Sequence, residues 1–148
     1  MKALDESLRV MADWELWIGM ARSTSAAAEK LRTDGYPRDA ASRFYYAAFY
    51  TATALLLYRG LTPPQEREGW SHEQTPELVM DELVPVLPDR DRRYGLYKRL
   101  RILYGLRLTA DYRATRPVND EDVTRARRDA GYIMSVAGTV LPEPKGIS

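Results

Sequence analysis

Apolar side chains recur at three- and four-residue intervals over most of this chain, and nowhere do they alternate with polar ones between turn residues as strands require. Leu4, Leu8, Met11, Trp14, Ile18, Ala21, Ser25 and Ala28 mark one face of a helix predicted from about Asp5 to Thr33, with Gly35 as its stop. The hydroxyls of Ser23, Thr24 and Ser25 compete for backbone hydrogen bonds, so any break in that helix is expected there. A second helix is predicted from Pro37, a residue suited to a first turn, to Gly60. It is apolar nearly all round from Phe44 to Tyr58, the pattern of a helix at the centre of a bundle.

A loop rich in Pro, Glu and Gly follows from Leu61 to about Gln74 and holds Trp70, Ser71 and His72. Thr75 as N-cap and Pro76 at the first position predict a short acidic helix to Val86, closed by Pro85 and Pro88. A fourth helix is expected from about Asp89 to Ala114, with Tyr97, Leu100, Tyr104, Arg107 and Asp111 along one stripe. Asn119 followed by Asp120, Glu121 and Asp122 reads as a cap and an acidic first turn, opening a helix that buries Val123, Ala126, Ala130, Ile133, Met134, Ala137 and Leu141. Pro142 and Pro144 end it, and residues 142–148 are expected to be a loose tail. With one apolar centre and neither repeats nor a linker, the chain reads as a single domain with its core from about residue 5 to 141. The fold class is all-α, an antiparallel up-and-down bundle of four main helices plus a short inserted helix.

Composition removes most of the common chemistries. In 148 residues there is no cysteine and one histidine, which excludes thiolate nucleophiles, Cys/His zinc sites and paired Glu-x-x-His di-iron sites. No G-x-S-x-G elbow, Walker loop or G-x-G-x-x-G is present, and neither a cofactor nor a metal is expected. The charged start Met1-Lys2-Ala3-Leu4-Asp5-Glu6 is unlike an export signal, and the apolar run at Phe44 to Tyr58 is shorter than the ~18 residues of a membrane span. A cytoplasmic protein without a membrane partner is the expectation. Net charge is +1, yet residues 89–116 carry nine Arg or Lys against three Asp, so this segment is basic and the remainder acidic.

Several short motifs stand in a definite order. Gly35-Tyr36 leads into Ser42-Arg43-x-Tyr45-Tyr46-Ala47-Ala48-Phe49, followed by Ala54-Leu55-Leu56, Gly60, Ser71-His72 and finally Leu106-Arg107-x-x-Ala110-Asp111-Tyr112. From about Ala21 to Leu141 the chain thereby resembles the HEPN superfamily, particularly its small stand-alone bacterial and archaeal members. The resemblance implies a bundle of four or five helices that commonly dimerises. Many active members are metal-independent ribonucleases acting as toxins or antiviral effectors, and a typical partner is a small nucleotidyltransferase acting as antitoxin. Their usual motif is Arg, four to six residues, then His; Arg107 matches the arginine, while the permitted histidine positions hold Tyr112, Arg113 and Ala114. Metal-free RNA cleavage needs a base for the ribose 2′-hydroxyl and a cation for the phosphorane, and Arg107 can supply only the cation.

The candidate catalytic residues are therefore Arg107, Asp111 and Tyr112, although a phenol is a poor base at neutral pH. Asp111, four residues on, either orients the guanidinium toward a phosphate or forms an ordinary intrahelical ion pair. Candidate RNA or nucleotide contacts are Ser42, Arg43, Tyr46, His72, Arg101 and Tyr104. Ser42 and Arg43 suit a polar groove or close helix packing, and His72 either reaches that groove or anchors its loop. The tyrosines can stack bases or fill the core. The run Arg90, Arg92, Arg93, Lys98, Arg99 and Arg101 fits a nucleic-acid backbone, a solvated helix face or an acidic protein partner. The leading expectation is a toxin–antitoxin-like or defence protein that binds RNA or a nucleotide in a basic groove of a homodimer; metal-independent cleavage is a candidate activity that the incomplete motif does not support. The alternative is a catalytically silent interaction module for a nucleotidyltransferase.

Overall fold

A computed structural model describes residues 2–64 and 69–143, with side chains from Asp13 onward. Five helices follow one another: α1 Lys2–Thr33, α2 Pro37–Tyr58, α3 Gln74–Glu82, α4 Arg90–Tyr112 and α5 Asp120–Val140. No strand occurs among the described residues. The all-α expectation holds, and α1 runs through Ser23 to Ser25 without a break. Its end, and that of α2, fall where glycine takes the positive φ that other residues avoid, 86° at Gly35 and 98° at Gly60. The expected loose tail falls mostly on residues 144–148, outside the described residues.

The Ala-rich α2 lies at the centre, touching each of the other four helices. Ala40, Ala41, Ala47, Ala48, Leu55 and Leu56 are fully covered, and each leucine so buried stabilises the fold by about 2 kcal/mol. Small side chains let the neighbouring helices close in, while Phe44 and Tyr45 fill the space between them. Facing pairs run in opposite senses along α2 and α4: Ser42 meets Asp111, Tyr46 meets Arg107 and Tyr45 meets Tyr104. The two helices are therefore antiparallel, as are α4 and α5, where Gly95 faces Tyr132 and Arg99 faces Asp129.

Two helix ends differ from the sequence expectation. Thr75 does not cap α3; it lies inside the helix and donates to the Ser71 carbonyl, while Ser71 Oγ accepts the Gln74 N–H at 3.1 Å. The hydroxyl that serves this end belongs to the residue beside His72, which ties the α2–α3 loop to the start of α3. α3 also stops at Glu82 rather than Val86, because Pro85 restricts the residue before it and Leu87 N–H turns back to Leu83 O. The α5 cap is as expected: Asn119 and Asp122 exchange side-chain and backbone hydrogen bonds in a capping box. That bond from the Asn119 backbone, with Arg125 alongside, lowers the Asp122 pKa.

One arginine holds the bundle at the end where the candidate residues gather. Arg38, in the first turn of α2, donates to the carbonyls of Thr109, Ala110, Arg113, Ala114 and Arg116. The first two lie in the last turn of α4 and the other three in the segment that follows it, and a cation at this end complements the helix dipole. Arg38 thereby fixes the last turn of α4, which carries Asp111 and Tyr112.

Candidate functional site

Arg107 leaves α4 toward α2 and is only 12 % exposed. Its terminal nitrogen donates to Tyr46 Oη at 2.8 Å and makes a longer 3.4 Å contact with Tyr112 Oη. Its Nε lies 3.0 Å from Asp111 Oδ2, close enough for an ion pair but off the hydrogen-bond axis, so that N–H is buried without an acceptor. Ser42 donates to the same Asp111 oxygen at 3.1 Å across the helix interface. The intrahelical pair is thus also an interhelical one, and Asp111 holds Arg107 in place while Ser42 holds Asp111. Burial works against the Arg107 charge, but Tyr46, Tyr112 and Asp111 around it more than offset that, leaving its pKa raised. It is a permanent cation held in place from two helices, with its terminal nitrogens turned toward the tyrosines.

His72 comes from the α2–α3 loop and enters the aromatic group on the other side of Tyr46. Its ring centroid is 4.5 Å from Phe49, 5.5 Å from Tyr45 and Tyr104, and 5.9 Å from Tyr46. The rings of His72 and Tyr104 are nearly parallel, at 12°. Tyr45 Oη lies 2.6 Å from His72 Nδ1. Burial, and then the nearby Arg107 charge, lower the His72 pKa, so the ring is neutral at neutral pH. Burial pushes the Tyr45 phenol far up, which keeps it protonated. Trp70, 8 % exposed, anchors the chain two residues before His72.

Two clefts flank this centre. One, of about 630 Å³, is lined by Leu31, Asp39, Ser42, Arg43, Tyr46 and Tyr50. The other, of about 380 Å³, is lined by His72, Glu73, Pro76, Glu77, Arg101, Tyr104 and Gly105. Seven of the expected residues, Ser42, Tyr46, His72, Tyr104, Arg107, Asp111 and Tyr112, form one connected group. Arg43 and Arg101 stay outside its hydrogen bonds and line the flanking clefts, Arg101 bonded to Tyr97 Oη at 2.7 Å and 3.9 Å from Glu77.

The basic run has no common face. Arg93 donates to Met80 O and ties α4 to α3, while Arg99 pairs with Asp129 at 3.5 Å and lies 3.7 Å over the Tyr132 ring. Arg92 turns to its own N-cap, Asp89. Two of these six charges, Arg93 and Arg99, join α4 to its neighbours. Sequence reading did not single out Arg38, Tyr45 as the partner of His72, or Glu73, which accepts from Tyr104 Oη at 3.3 Å.

The model of the HEPN domain family matches residues 14–140. The chain belongs to the HEPN family. This HEPN chain is also 28 % identical over 115 residues to a protein of Methanocaldococcus jannaschii named as a putative toxin, in an alignment covering 78 % of this chain and 72 % of that protein. Among the described residues no helix of the HEPN bundle is long and apolar enough to cross a membrane.

Proposed function

We propose that this HEPN protein is toxin-like and holds single-stranded RNA or a nucleotide at the Arg107 centre. The observation that carries the reading is the Arg107 side chain itself: nearly buried, charged, and fixed by Asp111 and Tyr46. A phosphate oxygen entering beside Tyr46 and Tyr112 accepts from the terminal guanidinium nitrogens, and the neighbouring tyrosines offer faces on which bases stack. The toxin-like context rests on the family and on the name of the archaeal relative.

The same centre argues for holding RNA ahead of cutting it. The three positions where the family motif carries its histidine hold Tyr112, Arg113 and Ala114, so the cation is present and the base beside it is not. This favours the second reading too, a silent module for a nucleotidyltransferase partner, with the cytoplasm as its compartment. Leu16 at 63 %, Ile102 at 54 % and Met20 at 45 % exposure are apolar surface that a partner or a second copy of the chain can cover.

The test is incubation of the purified chain with labelled transfer RNA and mixed cellular RNA in excess chelator, beside Arg107→Ala. Retention of RNA by the native chain and its loss in the variant is expected, with the RNA intact. Cleavage that disappears with Arg107 would make the protein a nuclease without the motif histidine. Equal behaviour of the two chains would remove Arg107 from the function.

A further inference from the structure

Tyr45 is 1 % exposed, and its hydroxyl has a single partner among the described residues, His72 Nδ1 at 2.6 Å. A buried phenolic proton must go to an acceptor, and no other is within reach. Tyr45 therefore donates to Nδ1, which fixes the neutral imidazole with its proton on Nε2. In that tautomer the free nitrogen of His72 cannot take a proton from a ribose hydroxyl. It is a donor, and the ring that carries it is part of the lining of the cleft of about 380 Å³.

The other groups of that cleft describe its ligand. Two carboxylates, Glu73 and Glu77, disfavour a phosphate there, while Tyr104 provides aromatic surface. The carboxylates accept hydrogen bonds; His72 Nε2–H and Arg101 donate them. A nucleobase edge carries both kinds of group, and guanine is the RNA base with two adjacent donors, N1–H and N2–H, beside the acceptor O6. Arg107, across Tyr46 from His72, is left to hold the phosphate.

We propose that the cleft between the start of α3 and α4 is a guanine pocket, in which a Glu73 or Glu77 carboxylate accepts from N1–H and N2–H and His72 Nε2–H donates to the base oxygen. This rests on the RNA-holding reading above and adds base preference to it. His72 is then a specificity residue, and Tyr45, which touches no ligand, is the positioning residue that sets its tautomer.

The experiment uses the full chain and three fluorescein-labelled uridine octamers, one plain, one with a central guanosine and one with a central adenosine, followed by anisotropy at low salt in chelator. The guanosine oligomer is expected to bind roughly 10-fold more tightly than the others. His72→Ala, and Glu73→Gln combined with Glu77→Gln, should bring the three together. His72→Gln, which keeps an N–H where Nε2 stands, should retain most of the preference. Arg107→Ala should weaken all three by a similar factor. Equal binding of the three oligomers by the native chain, or a preference that survives His72→Ala, overturns the pocket while an Arg107-dependent affinity leaves RNA binding in place. Binding of none of them overturns both. The long-range ¹⁵N–¹H spectrum of the native protein gives a readout free of any variant: the His72 proton is expected on Nε2, and finding it on Nδ1 contradicts the proposal.

Discussion

The two halves of α4 carry charge in different ways. From Arg90 to Arg101 there are six cations, and Arg93 and Arg99 are spent on neighbouring helices while Arg92 and Arg101 pair with surface acids. From Ile102 to Tyr112 there is one, Arg107, and it is nearly buried and oriented by groups from two helices. A dense run of arginines says little about where an anion binds, because exposed pairs in water contribute about 0–1 kcal/mol. A single cation held by an acid that is itself held from another helix presents its charge where water competes poorly.

The sharpest way to break this comparison is to remove charge from each half. Arg107→Ala should weaken binding of a short single-stranded RNA by about 10- to 100-fold, the size of one or two charge-assisted hydrogen bonds, whereas Arg90→Ala with Lys98→Ala should change it by less than about 3-fold. Fluorescence titration at two salt concentrations decides it, and a larger effect from the double variant would return the function to the basic run.

The clamp on the far half of α4 comes next. Arg38→Ala removes a donor shared by five carbonyl oxygens, of which only those of Thr109 and Arg113 keep a backbone partner outside the regular helix bonds, and should lower unfolding free energy by about 2–3 kcal/mol in urea melts, while Arg101→Ala should stay within about 0.5 kcal/mol. Ser42→Ala should cost about 1 kcal/mol and, by loosening Asp111, weaken RNA binding in proportion. If stability falls but binding does not, Asp111 does not position Arg107.

The His72 pKa is lowered in the fold by burial and by Arg107, from the usual imidazole value of 6.5. As pH falls through the region of 6.5, the unfolded chain takes up a proton that the folded chain refuses, so stability contributed by the neutral ring is present above that region and lost below it. The slope of stability between pH 5 and 7 should therefore be shallower in His72→Gln than in the native chain. Equal slopes would mean that His72 is not held neutral by its surroundings. The smallest effect separates the two glycines of α4. A Cβ on Gly95 would meet Tyr132 Oη at 2.6 Å, whereas one on Gly105 meets nothing within 4 Å. Gly105→Ala should raise the melting temperature by the ~0.5–1 kcal/mol of helix propensity, and Gly95→Ala should lower it.

Much of the fold could be read from the sequence because its signals are local. Gly35 and Gly60 stop helices, Asn119 with three acids starts one, and the apolar circumference of α2 places it at the centre. The α3 cap was misplaced because Thr75 and Ser71 are both competent, and only the three-dimensional path of the loop selects Ser71. Within the site, the spacing of Arg107 and Asp111 announced their pair, but Ser42 joins it from 69 residues away. Arg38 left one faint sign: a cation in the first turn of a helix opposes the dipole and needs a distant partner to justify it. The aromatic enclosure of His72 left none, since Tyr45, Phe49 and Tyr104 read equally well as core.

The claim that Arg107 and its neighbours form the RNA-binding centre is tested most directly by titrating the ¹⁵N-labelled native chain with a short single-stranded RNA. Shift changes should gather on Ser42, Tyr46, His72, Tyr104, Arg107, Asp111 and Tyr112 and fade along α4 toward Arg90. Changes confined to Arg90–Arg101, or to α1 and α5, would contradict the account.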